Sequence, residues 1–235
     1  MKNSRTSLVV FIAASLIQLI AMKNLYGEGL QALPFATTYE PQVHITALIA
    51  RVFCIYIPVP FMFFFIKETE WNKGYEKVLM IRKGNREQML IRKVSREMLM
   101  VIGMVIFLTV LYGLLGRSTK ESLALNQIAG ILLIYVLTIA DSILLGHLLE
   151  FVAGLRREVV DITVNVFFVF SLLLPKIQAN LIIKCILFPG TAFVKTGEIY
   201  KGIYNDAYLI ATMMLVGGLL MFLICIMKYR KIDFL

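Results

Sequence analysis

Residues 67–93 read Lys-Glu-Thr-Glu-Trp-Asn-Lys-Gly-Tyr-Glu-Lys-Val-Leu-Met-Ile-Arg-Lys-Gly-Asn-Arg-Glu-Gln-Met-Leu-Ile-Arg-Lys, a long polar insert between two apolar runs. It is basic: nine of the 24 Lys and Arg residues fall between Lys67 and Arg96. Trp71, Tyr75, Val78 and Leu79 recur at helical spacing and share one face. Lys73, Glu76, Lys77 and Lys83 fall on the other faces, and Arg82 closes the stripe. The spacing predicts a short amphipathic helix, suited to a membrane surface or to a partner's groove. Gly84-Asn85 ends it, because glycine supplies a left-handed C-cap and asparagine caps the helix that follows. Gln88, three residues after Asn85, stands where a capping box places it. From Arg86 the pattern resumes through Met89, Leu90, Val94 and Met98 without a breaker. The stretch therefore reads as helix, tight turn, then a cytoplasmic extension of the next apolar helix.

Outside the insert the chain is largely apolar. Of 235 residues 59% are hydrophobic and only 17% charged, where a soluble domain carries about 25% charged residues. Mean hydropathy is +0.80. Crossing a hydrocarbon layer takes about 20 apolar residues, and six segments meet that test: 6–23, 45–66, 97–116, 124–150, 157–175 and 207–227. The expected architecture is an all-α integral membrane protein of six transmembrane helices. It forms one domain over 1–235, since the spans leave no room for a separate soluble unit.

The basic residues orient it. With both termini inside, the cytoplasmic face receives 16 Lys and Arg and the outer face seven, with Arg51 left within the second span. The positive-inside rule thus favours cytoplasmic N- and C-termini. No small-x-small cleavage site follows the first apolar run, so it reads as an uncleaved signal-anchor. The net charge of +9 lies beside the spans, where anionic lipid headgroups explain it without nucleic acid. Cys54, Cys185 and Cys225 lie in or beside apolar runs, where cysteine behaves as a small buried hydrophobe.

The run Ile177–Phe188 is about twelve residues long, too short to span and of the length of a re-entrant or interfacial segment. Pro189-Gly190 is expected to turn the chain sharply before a second mixed segment that ends at Tyr204.

The order Glu70, Gly74, Glu76, Leu79, Arg86 and Lys93 is similar to the segment between the second and third helices of ABC-2-type transporter permeases. There an acidic residue, a Gly-Thr step leading to leucine, a Ser-Arg pair and a downstream lysine form a coupling helix and the start of the third span. Here Tyr75 stands in place of the threonine, and Asn85 precedes Arg86 in place of serine. The motif covers about 25 residues, and the six-span layout extends the resemblance to the whole chain. It resembles in particular the small permeases of bacterial peptide exporters, which carry short re-entrant or interfacial helices between the fifth and sixth spans.

What the resemblance implies is concrete. Residues 70–83 would dock on a separate ATP-binding subunit, with Trp71, Tyr75 and Leu79 as the anchoring ridge and Glu70, Gly74, Glu76, Arg86 and Lys93 around it. Two permeases, identical or paired with a sister chain, would assemble with two ATPases in the plasma membrane of a bacterial cell. The chain has no Gly-x4-Gly-Lys-[Ser/Thr] loop, so ATP and Mg are expected in the partner and no cofactor in this chain. The cargo expected by analogy is an amphipathic or hydrophobic molecule such as an antimicrobial peptide.

Ionisable residues inside spans are costly and mark function by default. Arg51 lies about seven residues into the second span, roughly 10 Å at the helical rise, and either snorkels outward or meets an anionic group in a cavity. Asp141, well into the fourth span, is either neutralised by a neighbour or lines the pathway. His147 and Glu150, one turn apart, are expected to form a local interfacial pair. Asp161 lies near the start of the fifth span, where a carboxylate favours the helix N-terminus. Gly217-Gly218 and the pairs Ser142/Gly146 and Ala207/Ala211 mark faces of close helix approach. Zinc-protease and serine-hydrolase signatures are missing from the sequence, which disfavours an enzyme. The alternatives to a permease are an ATP-independent transporter and a peptide-binding immunity or sensor protein.

Overall fold

Nothing between Arg86 and Leu115 interrupts a helix, and α1 (Arg86–Leu115) runs through all 30 residues. The caps expected at Gly84 and Asn85 lie outside the described residues, and the helix covers the expected extension and the run expected as the third span. The computed structural model describes residues 86–115, 124–173, 186–200, 202–204 and 206–230, together with Val9, Ile12, Ala13 and Leu16. The helices α2 (Leu125–Val152), α3 (Arg157–Leu173), α4 (Phe188–Tyr200) and α5 (Ala207–Arg230) follow, and among the described residues there is no strand. The spans expected at 6–23 and 45–66 lie outside the described residues, apart from those four helical positions in the first. The amphipathic helix expected at 70–83 also lies outside them.

Among the described residues two helices are long and apolar enough to cross a membrane: the 28 residues of α2 and the 23 residues Ala207–Tyr229 of α5. Their bounds match the runs at 124–150 and 207–227 within a few residues. The surface supports the same solvent. Leu99, Ile106 and Val110 of α1, Ile162, Val166 and Phe170 of α3, and Leu215, Leu219 and Leu223 of α5 all face outward. Glu97, Thr138, Asp141, Ser142, His147, Ser171 and Lys195 are buried instead. Contiguous apolar faces of this extent are rare on a body surrounded by water, and hydrocarbon accepts them without cost.

The centre of the packing is α2, which touches each of the other four helices. Ile131, Ile134, Tyr135, Ile139 and Ile143 form its buried ridge. Against it lie Val101 and Val105 of α1, Phe168 of α3, Phe188, Ala192 and Ile199 of α4, and Ile210 and Met214 of α5. A second cluster joins three helix ends: Leu90 and Val94 of α1, Leu144 of α2, and Cys225 and Tyr229 of α5. Cys225 is thus buried among apolar side chains, as its sequence setting implied. The hydroxyls of Thr138 and Ser142 donate to the carbonyls of Ile134 and Thr138, at 2.7 and 2.8 Å, which satisfies them inside their own helix.

Helix α4 is short and sits inside the bundle. The break before it falls at Leu187, and Pro189 and Gly190 belong to the helix rather than to the sharp turn expected there. Proline fits the first turn because its missing N–H would have no intrahelical acceptor at that position. At the other end the helix stops at Tyr200, short of Tyr204, because Gly202 takes φ +79. Gly202 N–H then donates to Ile199 O and Ile203 N–H to Glu198 O, both at 2.9 Å, the two reverse bonds of a Schellman cap. Gln127 fixes α4 to α2. Its Oε1 accepts from Ala124 N–H at 2.8 Å, capping α2, and its Nε2 donates to Ile199 O at 3.4 Å.

Where α2 passes α5, Gly218 faces Asp141 and Leu144, and a β-carbon there would run into the Asp141 carboxylate. Gly217 has open space instead. Replacing Gly218 by Val should therefore cost about 1–3 kcal/mol through forced separation of the helices. Gly217→Ala should cost nothing measurable. Thermal unfolding of the two purified variants in detergent checks the contrast; equal losses would contradict the close approach at Gly218.

Candidate functional site

A histidine and an aspartate interrupt the apolar interior of α2, and they face different neighbours. The first is His147, fully buried near the C-terminal end of the helix. Its Nε2 lies 2.7 Å from Oε2 of Glu97 on α1, which is 5% exposed, and its Nδ1 lies 3.6 Å from Oε2 of Glu150. A carboxylate only accepts, so the ring N–H at Nε2 donates to Glu97. The distance to Glu150 is within ion-pair range but too long for a hydrogen bond. The local pair expected one turn along the helix is therefore the weaker contact. The stronger one crosses from α2 to α1.

The ring of His147 also stacks on Phe151, with centroids 5.7 Å apart and planes 5° from parallel. Phe151 in turn meets Tyr229 of α5 edge-on at 5.2 Å. A continuous chain of side chains thus runs Glu97, His147, Phe151, Tyr229 from α1 through α2 to α5. Leu90, Val94, Leu144 and Cys225 pack around it and exclude water. Buried polar groups in such a setting have to satisfy each other, because an orphaned charge there costs several kcal/mol.

The second position is Asp141, 3% exposed against the backbone of Gly218. Thr138 and Ser142 flank it, but their hydroxyls are committed to backbone carbonyls. An acid so deep in an apolar helix is a candidate functional residue. On α4, buried Lys195 pairs with Glu198 one turn on, at 2.5 Å.

The other expected site residues fall as follows. Arg51, Glu70, Trp71, Gly74, Tyr75, Glu76 and Leu79 lie outside the described residues. Arg86 is the first residue of α1, and Lys93 sits half-buried two turns further along. Asp161 is in the second turn of α3, near the helix start as expected. Among the described residues no group of three or more His, Cys, Asp and Glu side chains is arranged to hold a metal. Glu97 is the residue that sequence reading passed over, although an acid at the start of an apolar span was its visible signal.

The match to known proteins is with a family of unknown function. The family model DUF2705, described as a protein of unknown function, covers residues 8–235. The chain belongs to that family. No curated protein and no solved structure matches this DUF2705 chain.

The pairing of Glu97 and His147 makes a sharp thermodynamic prediction. Replacing either one alone by Leu removes the other's shortest polar contact in a buried setting, at a cost of about 1–3 kcal/mol. Replacing both by Leu should cost less than the sum of the single changes. A double-mutant cycle on detergent-solubilised protein measures this; additive losses would mean that the two side chains do not interact.

Proposed function

We propose that this chain is the transmembrane permease subunit of an ATP-driven exporter of the ABC-2 type, moving an amphipathic cargo such as a peptide. The observation that carries this reading is the length of α1. Thirty residues rise about 45 Å, while a hydrocarbon core is about 30 Å thick. The excess lies at the N-terminal end, where Arg86, Glu87, Arg92, Lys93 and Arg96 cluster. A transmembrane helix that projects its basic end directly out of an amphipathic insert is what a coupling segment requires. Force applied to the insert then enters the membrane through an unbroken rod.

Three further features support the reading. Basic helix ends meet: α1's first turns, which carry Arg92 and Lys93, and α5's last turns, which carry Lys228, share the cluster around Tyr229 with the C-terminal end of α2. That agrees with a cytoplasmic face in the positive-inside sense. Helix α4 is 13 residues long and largely buried between α3 and α5, as expected of a re-entrant element between a fifth and a sixth span. Asp141 provides an acid within the bundle for a pathway role. In this reading the partner ATPase holds ATP and Mg, a second permease completes the assembly, and the termini are cytoplasmic.

The test is composition. Tagged protein purified from its native membrane in mild detergent should carry a stoichiometric ATP-binding subunit, seen as intact-complex mass. Tyr75→Asp combined with Leu79→Asp should remove that subunit while leaving the permease folded. A chain that runs alone or as a bare dimer would overturn the proposal in favour of an ATP-independent transporter or a peptide sensor.

A further inference from the structure

The permease reading leaves open how displacement of the insert would reach the rest of the bundle, and on that reading the geometry at the basic end supplies a route. α1 is helical from Arg86 onward, so movement at its first turn is carried along a rigid rod to Glu97, eleven residues and about 16 Å further on. Glu97 does not face lipid there. It is buried at 2.7 Å from His147, which stacks on Phe151, which meets Tyr229 edge-on. The apolar residues around this chain come from the same three helices, α1, α2 and α5. Parting Glu97 from His147 would break a 2.7 Å polar contact between α1 and α2 inside an apolar cluster, where such a bond is stronger than in water, and that cost keeps the contact made while the helices move.

We propose that the chain Glu97–His147–Phe151–Tyr229 locks the basic ends of α1, α2 and α5 into one lever, with Glu97 and His147 as positioning residues that carry motion of the insert into the bundle. The lever includes the helix that bears Asp141 and the helix whose Gly218 faces it, so the midpoint of the bundle moves with the insert. Neither residue is required to touch cargo or nucleotide. Their role is to prevent α1 from sliding past α2. In lipid, apolar contacts alone resist such sliding weakly, because acyl chains replace side-chain contacts at little cost.

Continuity of contacts is not itself coupling, so the test measures relative motion. Nitroxide labels are placed at exposed Arg92 on α1 and exposed Lys228 on α5, with Cys54 and Cys185 replaced by Ser and buried Cys225 retained. The permease with its co-purified ATP-binding subunit, in lipid nanodiscs, is measured by pulsed electron paramagnetic resonance without nucleotide and after trapping with ATP, Mg and vanadate. The expected result is a 92–228 distance that is the same in both states. In Glu97→Gln, which keeps side-chain size and so guards against simple unfolding, the distance should shift on trapping. In the exchanged pair E97H/H147E the invariance should return, which a merely structural loss at either position would not produce. A wild-type distance that changes on trapping overturns the lever, as does a Glu97→Gln protein that keeps the invariance. If no ATP-binding subunit co-purifies at all, the permease reading itself falls and takes the lever with it.

Discussion

A carboxylate and an imidazole taken out of water have to find each other, and the packing at the basic end of this bundle follows from that need. Glu97 of α1 and His147 of α2 are both buried, and they meet at 2.7 Å. Once they meet, the relative height and rotation of α1 and α2 are set. Leu90, Val94 and Leu144 then fall into one cluster with Cys225 and Tyr229 of α5. In a lipid solvent this constraint matters more than it would in water. Apolar helix faces gain little by leaving lipid for each other, so polar pairs and close backbone approach choose the register.

Gly218 performs the second of these tasks. Without a side chain it lets α5 come against α2 where Asp141 projects, and the space that a β-carbon would occupy is filled by the carboxylate. The two devices act on opposite neighbours of α2, one through a polar contact to α1 and one through a missing methyl on α5. Together they hold the two long apolar helices beside α1. Helix α4 is fastened separately, by Gln127 at one end and by burial of Phe188 and Thr191 at the other. The described helices therefore have a polar contact and an apolar cluster at the basic end and a separately fastened short helix.

Much of the architecture was legible in the residues. An uninterrupted apolar period from Arg86 implied one helix through the extension and the span, and the structure contains it. Both ends of α2 and the starts of α3 and α5 were visible as changes between apolar and polar residues, because long apolar helices mark their limits in composition. The sharp turn expected at Pro189-Gly190 was a misreading. Both residues are equally at home in a turn and in a first helical turn, and only the position of Leu187 decides between them. His147 was seen as polar and notable, yet its nearest acid in sequence, Glu150, drew the expected pairing away from Glu97.

The sequence by itself determined the helical character of the described residues, the limits of α2, the basic asymmetry along the chain and the presence of acids within apolar runs. All of these depend on composition and on the 3.6-residue period, which are local properties of the chain. Tertiary structure alone decided that His147 belongs to Glu97, fifty positions away, that Asp141 abuts Gly218, and that α4 lies against α2 rather than outside it. The period states which residues share a face but not which helix that face meets. In a chain so rich in apolar residues many pairings bury similar area, and the choice among them rests on a few polar and small side chains whose partners are fixed only when the helices are assembled.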